Sequence, residues 1–553
     1  VKITNKRAGT AGREGWKQVI KERAYYVSER SGSDENEGSI EKPLRSLAAA
    51  GRLDLKPGDE LLLECGSIFE GQSLQLLNCR GSRAKPVRIG SYGTGPRPVI
   101  AANGTGLWYQ DYQTGLDSPY HVWRGYVSSA VLLYDCEYIH LTGIEITNEP
   151  QVPGERYSQA DKMSRTGVAV VAQNGGTLHQ IELSKLYIHD VKGNIYDKHL
   201  NNGGIYCTAL KPEKADNPIA RYDGLYIHHC VVENCSRWGI AAGYSYTHPF
   251  FATKCLDESI VERYGHANVV LEHNYVKGIG GDGITPMYCL RPLIQYNVAE
   301  DVAMEMNDTV YKLAGERQGK TAAAIWPWKC KDALFQYNEA YHTFENQDGQ
   351  AWDADSGDGT VYQYNYSYNN GGGCVMFCEP ESVHNTFRYN ISMLDQGGVI
   401  NPAHNSDAHI YGNVFVMAPG VPFIRDNMSG GHMLVEHNII YNSGEKAVLG
   451  DWHHQTELAR YHHNLYYNFL DFPPEDTEAI VREKGEAVLQ EPLGGPRQTS
   501  GQVHSRDRFS GFLPAKSEKE VDHIFQMNVH RESVNDKLAE PLWPAQKERE
   551  EST

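Results

Sequence analysis

No stretch of this 553-residue chain approaches the roughly 18–20 consecutive apolar residues that a membrane helix needs. It has no Cys-x-x-Cys pair and no His-x-x-x-His pair, the spacings that would suggest a zinc or redox centre. A P-loop, a dinucleotide fingerprint and a nucleophile elbow are missing as well. Positive charge is in short supply: 52 Lys and Arg face 70 Asp and Glu, a formal net charge of −18. That excess argues against nucleic acid and anionic membrane surfaces, which want a basic face, and fits a neutral partner better than a polyanionic one. The eleven cysteines are odd in number and scattered, so they are no disulfide framework. Cys207, Cys289 and Cys374 sit in apolar runs and read as small buried hydrophobes. Free thiols lean toward a reducing, cytoplasmic compartment, and Val1 to Arg7 show no apolar signal core. The chain does not start with Met, so a secreted protein whose leader was removed stays open. A soluble protein without metal or other cofactor is the expectation.

What is present is a repeat. An apolar residue, two mostly polar or aromatic residues and an Asn recur as Leu271-Glu272-His273-Asn274, Ile294-Gln295-Tyr296-Asn297, Phe335-Gln336-Tyr337-Asn338 and Tyr362-Gln363-Tyr364-Asn365. The pattern returns at Phe387-Arg388-Tyr389-Asn390, Ile410-Tyr411-Gly412-Asn413, Val435-Glu436-His437-Asn438 and Tyr461-His462-His463-Asn464. Successive Asn residues are 23, 41, 27, 25, 23, 25 and 26 apart, the long step being one repeat plus an insertion. Short apolar alternations broken by Gly, Asn and Asp are strand-and-turn signatures, not helical ones. A step near 25 residues suits one coil of three short strands at about 3.3 Å per residue. One coil cannot bury its own face, so coils stack and pair in parallel. The fold class is therefore all-β, a right-handed parallel β-helix, with the repeated Asn forming an amide ladder inside a bend.

Four segments follow: an N-terminal tail at 1–22, an N-terminal cap and first coils at 23–130, the β-helix proper at 131–470, and a C-terminal cap and charged tail at 471–553. The cap is expected to include a short helix from Pro43 to Ala50, with Gly51 just past its end. Tyr138-Ile139-His140-Leu141, Leu186-Tyr187-Ile188-His189 and Leu225-Tyr226-Ile227-His228 look like earlier repeat strands with wider spacing. Their surplus is expected to leave as loops, at 201–223 and 243–266, and to wall a binding site.

The candidate chemistry lies in Asp348-Gly-Gln-Ala-Trp-Asp-Ala-Asp355, three carboxylates in eight residues just before a repeat strand. Asp353 and Asp355, two apart, share one face of an extended strand. Asp348 and Asp355, seven apart, converge only if the chain bends between them. Glycoside hydrolysis needs one protonated and one ionised carboxyl across the scissile bond, and crowding acids raises at least one pKa. A solvated or calcium-holding turn is the structural alternative. Trp326, Trp328 and Trp352 are sugar platforms or core residues, and Gln350 and Glu379 are further candidate substrate contacts. Asp282, in Gly280-Gly281-Asp282-Gly283, is a second acidic turn and an alternative catalytic or supporting carboxylate. Asp301, Glu305 and Asp308 form a weaker acidic group, and His404, His432, His453, His454, His462 and His463 are bystanders or substrate contacts.

With these residues in hand, the chain resembles the β-helix carbohydrate enzymes of gut bacteria. The stretch from Asp348 to Asp355, with Tyr362-Gln-Tyr-Asn-Tyr-Ser367 and Asn370-Gly-Gly-Gly373, is similar to the catalytic region of glycoside hydrolase family 136, the lacto-N-biosidases. The resemblance implies Asp348 as acid/base and Asp355 as nucleophile in a retaining, metal-independent mechanism, with Asp353 a neighbour that tunes them. It also implies an oligosaccharide or polysaccharide substrate and a helical accessory domain or subunit not encoded in this chain. Two other functions fit the fold. A polysaccharide lyase would use a base such as Arg291 or Lys329 beside a uronate, and a glycan-binding solenoid would release nothing.

Overall fold

The computed structural model describes residues 22–113, 123–149, 163–195, 198–307, 320–404, 407–425, 433–449 and 459–483. Among the described residues, two parallel sheets hold fourteen strands each. The first goes from Ala24–Val27 to Ala459–His462 and the second from Ile68–Glu70 to Ile480–Arg482. A third, interrupted sheet completes each coil. It holds Leu74–Leu77, Arg124–Tyr134, Ser164–Ala172, Gly203–Ala209, Trp238–Ser245 and Asp282–Pro286, then Gln350–Asp355, Gly373–Cys378 and Ile400–Asn401. Apolar residues from all three sheets meet in one continuous core. Among the described residues no helix is long and apolar enough to cross a membrane.

The Asn repeat is a ladder of buried amides. Each Nδ2 donates to the Oδ1 of the next coil's Asn, from Asn274 through Asn297, Asn338, Asn365, Asn390, Asn413 and Asn438 to Asn464, at 2.9–3.1 Å. The same Oδ1 accepts the backbone N–H of the preceding Asn, and Nδ2 also reaches a strand carbonyl, as from Asn338 to Ile294 at 2.9 Å. The reason for a bend at this spot lies one residue earlier. His273, Tyr296, Tyr337, Tyr364, Tyr389, His437 and His463 all have φ between 53° and 60°, a left-handed conformation that the amide bonds hold in place. Their rings stack coil on coil, Tyr296 on Tyr337 at 4.9 Å and Tyr337 on Tyr364 at 5.5 Å. Gly412 takes the position without a ring. The ladder ends on a carboxylate: Asp476 Oδ2 accepts from Asn464 Nδ2 at 3.0 Å and Tyr466 Oη at 3.1 Å. Ile480–Arg482 then adds one more strand to the second sheet, beyond the last repeat visible in the sequence.

Several boundaries differ from expectation. The first helix is only Leu47–Ala50, because Ser46 caps it by accepting from Ala49 N; Gly51 ends it with an ordinary right-handed φ of −66°. Leu47 and Ala50 still enter the core at the start of the stack. The 201–223 segment is no simple loop, since it carries Gly203–Ala209, a strand of the third sheet. The strands Ser164–Ala172, Gly203–Ala209 and Trp238–Ser245 are buried at every position. Their inner residues, such as Val170, Cys207 and Ala242, face the solenoid core, and outer ones, such as Val171, Tyr206 and Tyr244, face a second cluster. A strand covered on both faces loses the polar alternation that would mark it in sequence. Part of the 243–266 segment supplies the roof, with a 3₁₀ turn His248–Phe251 and a helix Glu258–Tyr264 that place Phe251, Leu256 and Val261 in that cluster.

Candidate active site

The outer face of the third sheet changes character where the sheet is interrupted. Ile284 bridges to Ile325 and Ile325 to Trp352, so the segment around Trp326-Pro327-Trp328 occupies a strand's place between Asp282–Pro286 and Gln350–Asp355. Pro327 has no N–H to donate, which leaves isolated bridges instead of a ladder. Trp328 is level with Asp355 on the next coil, and Asp355 with Cys378 on the one after. Trp326, Trp328, Asp353 and Asp355 thus rise from one face.

A cavity of about 390 Å³ opens over Trp326, Trp328 and Asp355. Trp326, Trp328, Lys329 and Asp355 line it from the third sheet, Glu379 and Glu381 from the coil after, and Lys198, His199 and His248 from the inserted segments. The volume and the aromatic floor with a few charged groups suit a small polar ligand. Trp328 is fixed by surrounding rings, Tyr244 at 5.5 Å and His248 at 5.6 Å among them. Trp326 stacks on Trp238, and its Nε1 donates to Asp282 Oδ1 at 3.1 Å.

Asp348 stands at the turn that begins the carboxylate strand. Its N–H donates to Asn346 Oδ1 at 2.8 Å, and Asn346 Nδ2 is itself bound to Ala322 O at 3.1 Å. Gly349 follows with φ +85°, a conformation that L side chains rarely adopt. The chain thus turns at Gly349, between Asp348 and the strand that carries Asp353 and Asp355. The coil after passes directly against it: a Cβ on Gly372 would lie 1.8 Å from Asp348 O. That contact gives the Asn370-Gly-Gly-Gly373 motif a steric reason.

The electrostatics separate the carboxylates. Burial pushes Asp348 up to about 7; Asp355 and Asp282 add to the rise, while Lys198 and Arg425 oppose it. Asp355 is pushed up by burial to only about 6, because the Ser356 hydroxyl and the Lys329 ammonium favour its ionised form. Burial, with Asp355 and Asp348 beside it, drives Asp353 well above the ordinary carboxylate range. Asp353 and Asp355 lie close enough to titrate as a set, and burial together with the neighbouring carboxylates disfavours charge on Asp353.

Several of the residues singled out in sequence lie elsewhere. Trp352 is not a platform: it is fully buried and belongs to the inner core, because its neighbours Asp353 and Asp355 take the outer face. Trp352→Ala should therefore lose about 3–5 kcal/mol of stability, seen in urea denaturation, with KM unchanged for the enzyme that remains folded. Gln350 is also fully buried and donates to Gly372 O at 3.1 Å, so it braces the glycine coil rather than a ligand. Asp282 is fully buried against Arg237, with Nη2 to Oδ2 at 3.2 Å, and holds Trp326 from behind. Asp301 lies beside His342 at 3.7 Å, next to the second-sheet strand Val298–Glu300, and Glu305 packs near Gly280. Arg291 pairs with Glu258 at an exposed position, so it is no base for a lyase, whereas Lys329 does line the cavity. His463 pairs with Glu478, and neither His404 nor His462 lines the cavity. Asp308, His432, His453 and His454 lie outside the described residues. Sequence reading missed Lys198, His199, His248 and Arg237, which come from non-repeating segments and carry no spacing signal.

No family model matches the chain. It is 38% identical, over an alignment of 566 positions covering 93% of the chain, to a curated lacto-N-biosidase of Bifidobacterium longum subsp. longum. The chain spans 35% of that relative's length. The structure is similar to the crystal structure of a GH136 lacto-N-biosidase from Eubacterium ramulus in its selenomethionine form. The TM-score is 0.73 and the identity 56%, over 75% of this chain and 67% of the other. The native form of the same protein matches with the same TM-score and coverage at 55% identity.

Proposed function

Because the chain belongs to glycoside hydrolase family 136, we propose that it hydrolyses an oligosaccharide at a glycosidic bond seated over Trp326 and Trp328. The observation that carries this reading is the pair of separated carboxylates, Asp355 near 6 on the wall of an aromatic-floored cavity and Asp348 near 7 at the turn that begins the same strand. In this assignment Asp348, pushed up to about 7 and so about half protonated at neutrality, gives its proton to the leaving oxygen. Asp355, ionised and steadied by Ser356 and Lys329, attacks the anomeric carbon, and water then releases the sugar with Asp348 acting as base. Burial, which disfavours charge on Asp353, limits a second negative charge beside the nucleophile.

The substrate class follows the relatives: lacto-N-biose released from a longer oligosaccharide. The test is incubation with a chromogenic lacto-N-bioside and with milk oligosaccharides, read by mass spectrometry. Retention is checked by proton NMR, where the first-formed disaccharide should keep the anomeric configuration of the substrate. Absence of any glycoside cleavage by the intact protein, with sugar still bound, would move the reading to a glycan-binding solenoid.

The pH dependence has a definite sign. Activity needs Asp355 ionised, so it rises as pH increases through about 6, and it needs Asp348 protonated, so it falls as pH passes about 7. The profile of kcat/KM should be a narrow bell centred between these values. A flat profile from pH 5 to 8 would contradict the assignment.

A further inference from the structure

Cys378 has no part in the proposed mechanism, yet it stands next to the nucleophile. The strand register pairs it with Asp355 across neighbouring coils, and Asp353, two residues before Asp355, projects from the same face. One ligand atom from each of Asp353, Asp355 and Cys378 lies within 4.8 Å of the other two. Tetrahedral oxygen and sulfur ligands of zinc stand roughly 3.3–3.8 Å apart when Zn–O is about 2.0–2.2 Å and Zn–S about 2.3 Å.

A second observation points to a ligand here. Asp353 is 3% exposed, and its Oδ1 is buried without a hydrogen-bond partner. Leaving such an atom unmatched costs about 1–3 kcal/mol, and a cation would satisfy it. The donor set selects the cation. Two carboxylates and a thiolate favour a borderline-soft ion such as zinc or cadmium, whereas calcium and magnesium want oxygen alone. Asp355 opens on the cavity, so a fourth position remains for water.

We infer that Asp353, Asp355 and Cys378 form a binding site for a zinc-like divalent cation, whose occupancy blocks the proposed nucleophile and inhibits the enzyme. Inhibition rests on the function proposed above; cation binding does not. On binding, the Cys378 thiol and the Asp353 carboxyl each release a proton to solvent, and Asp355 ligates as the carboxylate. No electron is transferred. The cation takes the lone pair that would attack the sugar, so it competes with substrate.

Cobalt serves as the optical probe. Chelator-treated full-length protein should show a thiolate-to-cobalt absorption band in the near ultraviolet, with about one equivalent bound and displaced by zinc. Cys378→Ser should lose that band, and Asp353→Asn, which keeps the thiol, should weaken cobalt binding at least tenfold. In the glycosidase assay, Cys378→Ser should keep the metal-free rate within twofold and need at least tenfold more free zinc for half-inhibition. Calcium at equal concentration should inhibit neither protein. The inference falls if the unaltered protein shows no such band, or if Cys378→Ser and Asp353→Asn bind cobalt as the unaltered protein does. The band is read without substrate, so a protein that cleaves no glycoside but binds cobalt through Cys378 would overturn the proposed function alone.

Discussion

Asp355→Asn should lose at least about 10⁴-fold in kcat/KM, the scale on which removing a nucleophile acts. Asp348→Asn should lose about 10²–10⁴-fold, as for a general acid and base. Neither should unfold. Both carboxyls are pushed upward by burial, so the native environment disfavours their charge, and an amide of the same shape removes that cost. The two losses can be told apart. With Asp348 neutralised, an activated leaving group needs no proton, so a nitrophenyl glycoside should recover much of the first-step rate while a natural oligosaccharide does not. With Asp355 shortened to Gly, azide should enter the space left by the carboxylate and yield a glycosyl azide of inverted configuration. Near-normal turnover in both Asn variants would remove the pair from the mechanism and return attention to Asp353.

Arg237→Met should destabilise the fold by about 3–5 kcal/mol, the cost of stranding a buried charge. The Arg237 guanidinium is fully buried, 3.2 Å from Asp282 Oδ2 and 3.0 Å from Thr321 O. Once it is gone, Lys198, at 3.7 Å, is the one cation paired with Asp282 among the described residues. Replacing both charges, as Arg237→Met with Asp282→Leu, should restore most of the stability, since well-packed apolar groups often replace a buried pair without loss. Activity should stay low, because Trp326 Nε1 then has no Asp282 oxygen to hold its ring against the cavity floor. Urea denaturation beside kcat/KM separates the two outcomes. A single Arg237→Met variant within about 1 kcal/mol of the parent would show that the ion pair does not organise this wall.

The repeat was readable because it has a fixed step and one demanding residue. An amide that must donate to the coil above and accept from the coil below leaves the same letter at every turn, from Asn274 to Asn464. The acidic strand was readable for a similar reason: alternate Asp residues on one face, with Gly349 marking the turn before them. Trp352 and Gln350 could not be sorted the same way. Each lies within the acidic stretch, and only the packing of neighbouring coils shows that one fills the core and the other braces Gly372.

The chain's order of residues thus determined the stacked coils, the amide ladder and the face on which the carboxylates stand, since these depend on local spacing and strand period. The tertiary structure decided the rest. It brought Lys198 and His199, about 150 residues before Asp348 in sequence, over the carboxylate strand, and set His248 and the buried Arg237 around the tryptophans. It also spread the carboxylate pKa values apart through burial and distant cations. Segments inserted between coils have no repeating partner and so no period to read. Their position depends on the surface they cover, and that surface exists only once the coils have stacked.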